Sequence, residues 1–249
     1  MTTQTNVETG AWIRRFNPAP DAAHRLVCFP HAGGSASFYF PVSRALSPAV
    51  DVLAIQYPGR QDRRHEPCVD SIHGLADALA EELDGWFDRP VTFFGHSMGA
   101  SLAYEVARRF EERGTVLHGL FASGRRAPST VREERVHLLD DDGLIEDISR
   151  LSGTDTQVLG DPEILRMILP SIRADYRAAE TYRYTPGPLL TCPLTALTGD
   201  DDPQVTLDEA GAWAEHTSGP FDLKVYPGGH FYLNSQAPAV LSALKSHLR

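Results

Sequence analysis

Cysteine is scarce in this chain. Its 249 residues include three, Cys28, Cys68 and Cys192, with no CxxC spacing. So few scattered thiols build neither a disulfide framework nor a zinc site. They are expected as free thiols, buried or part-buried, in a reducing compartment. A basic balance is also missing: 23 Lys and Arg stand against 33 Asp and Glu, a net charge of −10. That argues against nucleic acid as the main partner, because such binding rests on cations that neutralise phosphates. No apolar run approaches the ~18 residues of a membrane span. The N-terminal MTTQTNVETGAWIRRF has no charged region followed by an apolar stretch, so no signal peptide is visible. A cytoplasmic protein is the expectation. Internal repeats and low-complexity linkers are absent as well.

What is present is ordinary globular material, 42% hydrophobic and 22% charged, long enough for one large α/β domain with a buried core. Short apolar runs recur as expected strands: 25–29, 51–55, 91–95, 117–123, 194–199 and 221–227. Several are apolar on both alternations, as strands covered on both faces should be. Helical patterns separate most of them. Residues 71–87 put Ile72, Leu75, Leu79, Leu83 and Trp86 or Phe87 on one stripe, and 98–113 put Leu102, Val106 and Phe110 on another, with Gly114 as the stop. Alternating strand and helix implies a mostly parallel central sheet flanked by helices. The interval between the strands at 117–123 and 194–199 is too long for one crossover helix, and 140–153 and 162–182 both read as helices. The expected organisation is a single domain over 1–249 with a helical lid insertion at about 125–190.

Residues 95–99, GHSMG, match G-x-S-x-G. The bare pattern is weak, but a strand runs into it and an amphipathic helix follows, the setting of a nucleophile elbow. Ser97 is then held above the sheet at the positive end of a helix. His96 and Met98 flank it; the elbow aims His96 away, into a packed position, and leaves the Met98 backbone N–H to face a developing oxyanion. A second donor is expected from the Ala32 N–H in CFPHAGG (28–34), with His31 shaping that loop. A serine nucleophile needs a base, and the base needs an orienting acid; on this architecture the order is Ser, acid, His. Of the histidines after Ser97, only His230, in YPGGHFYL, sits in a glycine-rich loop between a strand and the last helix. The acid is expected in the loop after the preceding strand, where TGDDDP offers Asp200, Asp201 and Asp202. Position alone leaves open which of the three orients His230.

With GHSMG, FPHAGG and PGGHF in this order, the chain resembles the type II, or editing, thioesterases of polyketide and nonribosomal peptide synthesis, stand-alone α/β-hydrolases. The resemblance runs through VCFPHAGGSASFYFPVSRAL, LAIQYPGRQDRRHEP, GTDTQVLGDPEILRMILPSIRADYRAAETYRY and GGHFYLNSQ, nearly the whole chain. It implies hydrolysis of acyl thioesters from the phosphopantetheine arm of acyl or peptidyl carrier proteins, removing stalled or misprimed groups. By the same resemblance Ser97, Asp202 and His230 are the catalytic residues, and Met98 and Ala32 the oxyanion donors. Asp202 is preferred because the family's aspartate stands in G-x-x-D, here Gly199 to Asp202, with Val205 three positions later. Asp201 is the reserve, and Asp200 is expected to shape the turn through its own backbone.

No metal or diffusible cofactor is required, and a monomer is expected. Because the chain is acidic overall, docking of an acidic carrier protein would need a local basic or apolar surface. Arg60, Arg125 and Arg126 are the candidates for carrier or pantetheine contact, with Arg63, Arg64, Arg132 and Arg135 on neighbouring loops. The rival functions are a medium-chain acyl-carrier thioesterase, a small-molecule esterase and a non-catalytic binding protein; the last would show a lost triad member.

Overall fold

The run-and-helix alternation produces a layered α/β architecture. A computed structural model describes residues 10–151 and 162–248. Its strands are β1 (Ile13–Arg14), β2 (His24–Phe29), β3 (Val50–Ile55), β4 (Val91–His96), β5 (Gly119–Ser123), β6 (Leu194–Gly199) and β7 (Phe221–Tyr226). They form one sheet in the order β1-β3-β2-β4-β5-β6-β7. β2 to β7 pair in parallel, while β1 runs antiparallel to β3. β1 escapes the sequence reading because two residues carry no period. Every residue of β3, β4 and β5 is buried, so both sheet faces are covered.

Successive side chains along a strand point to opposite faces, and the core divides accordingly. Val27 and Phe29 of β2 join Leu53, Phe93 and the inner stripes of two helices on one face. Leu26 and Cys28 join Val52, Phe94, Phe121 and Leu197 on the other. The first face is covered by α2 (Ile72–Glu82) and α3 (Met98–Glu112), the second by α1 (Phe40–Leu46) and the C-terminal helix at Ala237–His247. The Ser71 hydroxyl caps α2 by accepting from the Gly74 N–H. Ile72, Leu75, Leu79, Leu83 and Trp86 are all buried as the stripe requires, but the α-helix stops at Glu82 and Asp84–Trp86 continues as a 3₁₀ turn. Cys28 and Cys192 are buried, Cys68 is half-buried, and all three are free.

Among the described residues, two α-helices interrupt the rhythm between β5 and β6: α4 (Asp141–Arg150) and α5 (Pro162–Thr181). They share a small apolar cluster of Leu144, Ile148, Leu169 and Ile172, apart from the sheet's two cores. The stretch expected to link them, 152–161, lies outside the described residues. Among the described residues no helix is long and apolar enough to cross a membrane.

Leu79 is fully buried between α2 and the sheet. Leu79→Ala should lower the free energy of unfolding by about 2–5 kcal/mol, through lost transfer energy and the cavity left behind. Denaturant titration of the two proteins checks this.

Candidate active site

β4 ends at His96 and α3 begins at Met98, so the chain must turn within Ser97. It does so at φ 54° and ψ −120°, a left-handed backbone rare outside glycine. The turn is held from both sides: the Ser97 N–H donates to the Ser123 carbonyl at 2.8 Å, and the Ala100 N–H to the Ser97 carbonyl at 2.9 Å. Gly95 and Gly99 are required by space. A Cβ on Gly95 would stand 2.1 Å from the Gly99 carbonyl oxygen, and one on Gly99 would stand 2.1 Å from that of Phe29. α3 therefore starts pressed against the end of β2. His96 faces the interior, fully buried, its Nδ1 2.9 Å from the Ser123 hydroxyl, which in turn lies 2.6 Å from the Tyr232 hydroxyl. Burial, and then the neighbouring His230 and His31 rings, hold His96 well below the usual imidazole range.

The acidic loop after β6 divides its labour. Both carboxylate oxygens of Asp202 lie within hydrogen-bonding distance of His230 Nδ1, at 2.9 and 3.1 Å, and both side chains are buried. Asp202 Oδ1 also accepts from the Gln204 N–H at 2.8 Å, so this residue makes the Asx-type turn expected of Asp200. Asp200 instead reaches across to the histidine loop, where its carboxylate accepts from the Gly228 N–H at 2.8 Å. The Asp201 N–H donates to the Gly228 carbonyl at 3.1 Å, while the Asp201 side chain is exposed. Three neighbouring aspartates thus dock one loop on the other, and only Asp202 touches the imidazole.

One cavity of about 380 Å³ collects these residues. Ser97, Met98, His230, Ala32, His31 and Gly33 line it at the sheet end, and Ile148, Ile168, Ile172 and Ala179 from α4 and α5 line it opposite. Met98 is the first residue of α3, where backbone N–H groups have no partner within the helix. The imidazole of His31 packs edge-on to Phe38 and Phe231, and burial, followed by His230 and Arg60, pulls it down to about 3. It is a wall of the loop, as expected. His118, His137, His216 and His247 do not line this cavity. They bond respectively to the His247 carbonyl, Glu180, the Tyr104 and Ser129 hydroxyls, and (through its carbonyl) His118.

The arginines depart from expectation. Arg60 is not a loop cation awaiting a partner. It is buried in a two-pronged ion pair with Asp175 of α5, at 2.6 and 2.8 Å. Arg126 is buried against Glu134. Arg125 is half-buried and lines the cavity, with Nε donating to the Ser101 hydroxyl at 3.0 Å and Nη2 to the Ala179 carbonyl at 3.1 Å. Burial, then Arg126, lowers it to about 10. Of the seven arginines, Arg64 and Arg135 are the exposed ones. Asp175 was missed at the sequence level. It occupies a stripe position on α5, between Ile172 and Ala179, and an acid at an apolar position is the signal that could have revealed it.

A family model described as a thioesterase domain matches residues 24–248. The chain belongs to the thioesterase family. Thioesterase PikA5 of Streptomyces venezuelae is 53% identical over 98% of this chain and 87% of its own length. A probable cadicidin biosynthesis thioesterase of Streptomyces griseus is 57% identical over 92% of this chain, which spans 63% of that relative. Among solved structures, the type II thioesterase BorB from the borrelidin biosynthetic cluster superposes with a TM-score of 0.93 at 55% identity, covering 98% of this chain and all of BorB. The sheet, helices and elbow of this thioesterase are those of the α/β-hydrolase fold, and the enzyme is a thioester hydrolase.

Several imidazoles of this thioesterase are kept neutral by burial first of all: His31 at about 3, His216 and His247 at about 4. Each sits below the unfolded value of about 6.5, so its contribution to stability is full above about 6.5 and is lost as pH falls towards 4. The thermal midpoint should therefore drop from pH 6.5 to pH 4, with net proton uptake on unfolding. Calorimetry across that range in two buffers of different ionisation enthalpy measures both.

Proposed function

We propose that this thioesterase hydrolyses acyl thioesters carried on the phosphopantetheine arm of acyl or peptidyl carrier proteins, clearing aberrant or stalled groups from a polyketide or nonribosomal peptide synthase. Ser97 is the nucleophile, His230 the general base, Asp202 the orienter, and the Met98 and Ala32 N–H groups the oxyanion donors. The observation that carries this reading is the buried His230–Asp202 hydrogen bond, whose imidazole lines the same cavity as a strained serine at the start of α3.

Asp202 accepts a hydrogen bond from the Nδ1–H of His230, which leaves Nε2 as the basic nitrogen. Ser97 Oγ attacks the thioester carbon while Nε2 takes its proton. The carbonyl oxygen becomes an oxyanion at the N-terminus of α3, where the helix dipole and two backbone donors stabilise negative charge. The C–S bond breaks, the thiol leaves with a proton, and an acyl-serine remains. Water, deprotonated by His230, then attacks that ester, the free acid departs and Ser97 regains its proton. A thiol is a good leaving group, so little acid assistance is needed.

α4 and α5 act as a lid, supplying the apolar wall against which the acyl group packs. The cavity's size sits near the lower end of the ~300–1,000 Å³ span of ligand pockets. Likeness to a probable cadicidin biosynthesis thioesterase and to BorB, a type II thioesterase from a biosynthetic cluster, favours editing over medium-chain release. Of the three arginines expected to meet the carrier or its arm, Arg125 is retained, as a cavity group facing the substrate. Arg60 and Arg126 are committed to internal acids.

A panel of acyl-carrier proteins from acetyl to decanoyl tests the reading. Ser97→Ala should abolish release across the panel, and undiminished turnover by that variant would sink the mechanism. Asp202→Asn should lower kcat by roughly 10⁴-fold, because Asn favours the wrong imidazole tautomer. Asp201→Asn, altered at an exposed side chain, should stay within a few-fold of wild type.

A further inference from the structure

Among the described residues, the segment after β3, residues 56–63, makes no hydrogen bond to Ser97, Met98, Ala32, Asp202 or His230, yet it is wrapped around the loop that holds Ala32. The Tyr57 hydroxyl donates to the Pro30 carbonyl at 3.0 Å, and Gln56 Oε1 accepts from the Ala36 N–H at 3.0 Å. Arg60 Nη1 donates to the Gly34 carbonyl at 3.0 Å. From the other side, Asp175 of α5 closes the ring. Its Oδ2 accepts from the Gly33 N–H at 2.8 Å and from Arg60 Nη1 at 2.6 Å, and its Oδ1 accepts from Arg60 Nη2 at 2.8 Å. Asp175 is 1% exposed and Arg60 7%.

Residues 31–34 form a β-turn, closed by the Gly34 N–H donating to the His31 carbonyl at 2.9 Å. Gly33 has φ +75°, the value at the third position of a type II turn. Because that peptide is planar and trans, the His31 carbonyl and the Ala32 N–H point in opposite senses. The closing bond therefore helps aim the Ala32 donor. Types I and II differ by a flip of the central peptide, here Ala32–Gly33. That peptide's N–H is the one Asp175 binds. A flip would send the Ala32 carbonyl where the Gly33 N–H now points and break that bond. A buried ion pair is a poor source of stability, since apolar replacements often serve as well; its orientation of one peptide is a separate effect.

We propose that Arg60 and Asp175 are positioning residues for thioester hydrolysis: the pair grips the 31–34 turn at the Gly33 N–H and the Gly34 carbonyl, and so ties the loop that carries the second oxyanion donor to the helix that covers the cavity. The inference rests on the reading of Ala32 as an oxyanion donor. It follows that α5, which covers the cavity, also braces the oxyanion loop, so loss of this contact should weaken transition-state stabilisation.

The test uses the full-length protein with the paired replacement Arg60→Met and Asp175→Leu, which removes both charges together, and separately Asp175→Asn, which keeps an oxygen for the Gly33 N–H. Four quantities are measured: kcat and KM on an acyl-carrier thioester, affinity for an alkyl boronic acid that forms a tetrahedral anion on Ser97, and affinity for a non-hydrolysable acyl-pantetheine amide. In the paired variant kcat should fall about 10- to 100-fold, in the range for loss of an oxyanion donor or somewhat below it. KM should stay within about 3-fold, boronate affinity should fall with kcat, and amide affinity should hold. Asp175→Asn should lie between the paired variant and wild type. Wild-type kcat in a folded paired variant overturns the proposal, as does a loss of kcat without loss of boronate affinity, or an equal loss of amide affinity. Should the paired variant fail to fold, Asp175→Asn decides: kcat and boronate affinity falling together by at least about 3-fold support the proposal, and unchanged kcat overturns it. Ser97→Ala is run alongside. Its inactivity beside fully active Arg60 and Asp175 variants sinks this inference alone, whereas its full turnover sinks the reading of the site as well.

Discussion

The close crossing of α3 over the end of β2 is the constraint on which the rest of this molecule depends. Gly99 lies so near the Phe29 backbone that no side chain fits between them, and this contact forces the chain to reverse within Ser97. The strain at Ser97 is carried by its surroundings: a parallel sheet buried on both faces, and backbone bonds to Ser123 and Ala100. Overdetermination of this kind is what allows an unfavourable dihedral to persist. The same crossing brings the start of α3 beside the 31–34 turn, because both follow directly from β4 and β2, neighbouring strands in the sheet.

Around that point the site is assembled by loops that brace each other. The loop after β6 and the loop after β7 are joined through Asp200, Asp201 and Gly228, and this docking leaves Asp202 buried against His230. Beneath them His96, Ser123 and Tyr232 form a chain of polar groups that ties β4 to β5 and to the residues following His230. Each partner in that chain is buried, where a satisfied hydrogen bond is worth keeping and an unsatisfied one is costly. The geometry of a Ser, His and Asp set is thus distributed over four strands, and no single loop carries it.

α4 and the N-terminal part of α5 pack on each other through Leu144, Ile148, Leu169 and Ile172, a cluster of their own. The C-terminal part of α5 is rooted in the main core, where Ala178 is fully buried, and Asp175 ties the helix to Arg60. Glu180 binds the backbone of Val136 and His137 within the same insertion. The buried arginines belong to this architecture. Cations that a charge argument would send to a docking surface are instead used to fasten loops to helices.

The sequence by itself determined the layered α/β class, six of the seven strands, the stripes of α2 and α3, the serine at the elbow and the histidine in the last loop. All of these are local signals: a period of two or of 3.6, or a glycine beside a turn. Resemblance then singled out Asp202 from its neighbours. Only the tertiary structure decided what Asp200 braces, that Arg60 and Arg126 are interior, and that Asp175 reaches Arg60, a partner 115 residues away. The reason is physical. Periodicity records which side of an element faces inward, whereas an ion pair between two elements depends on how they pack, and no local pattern along the chain encodes that distance.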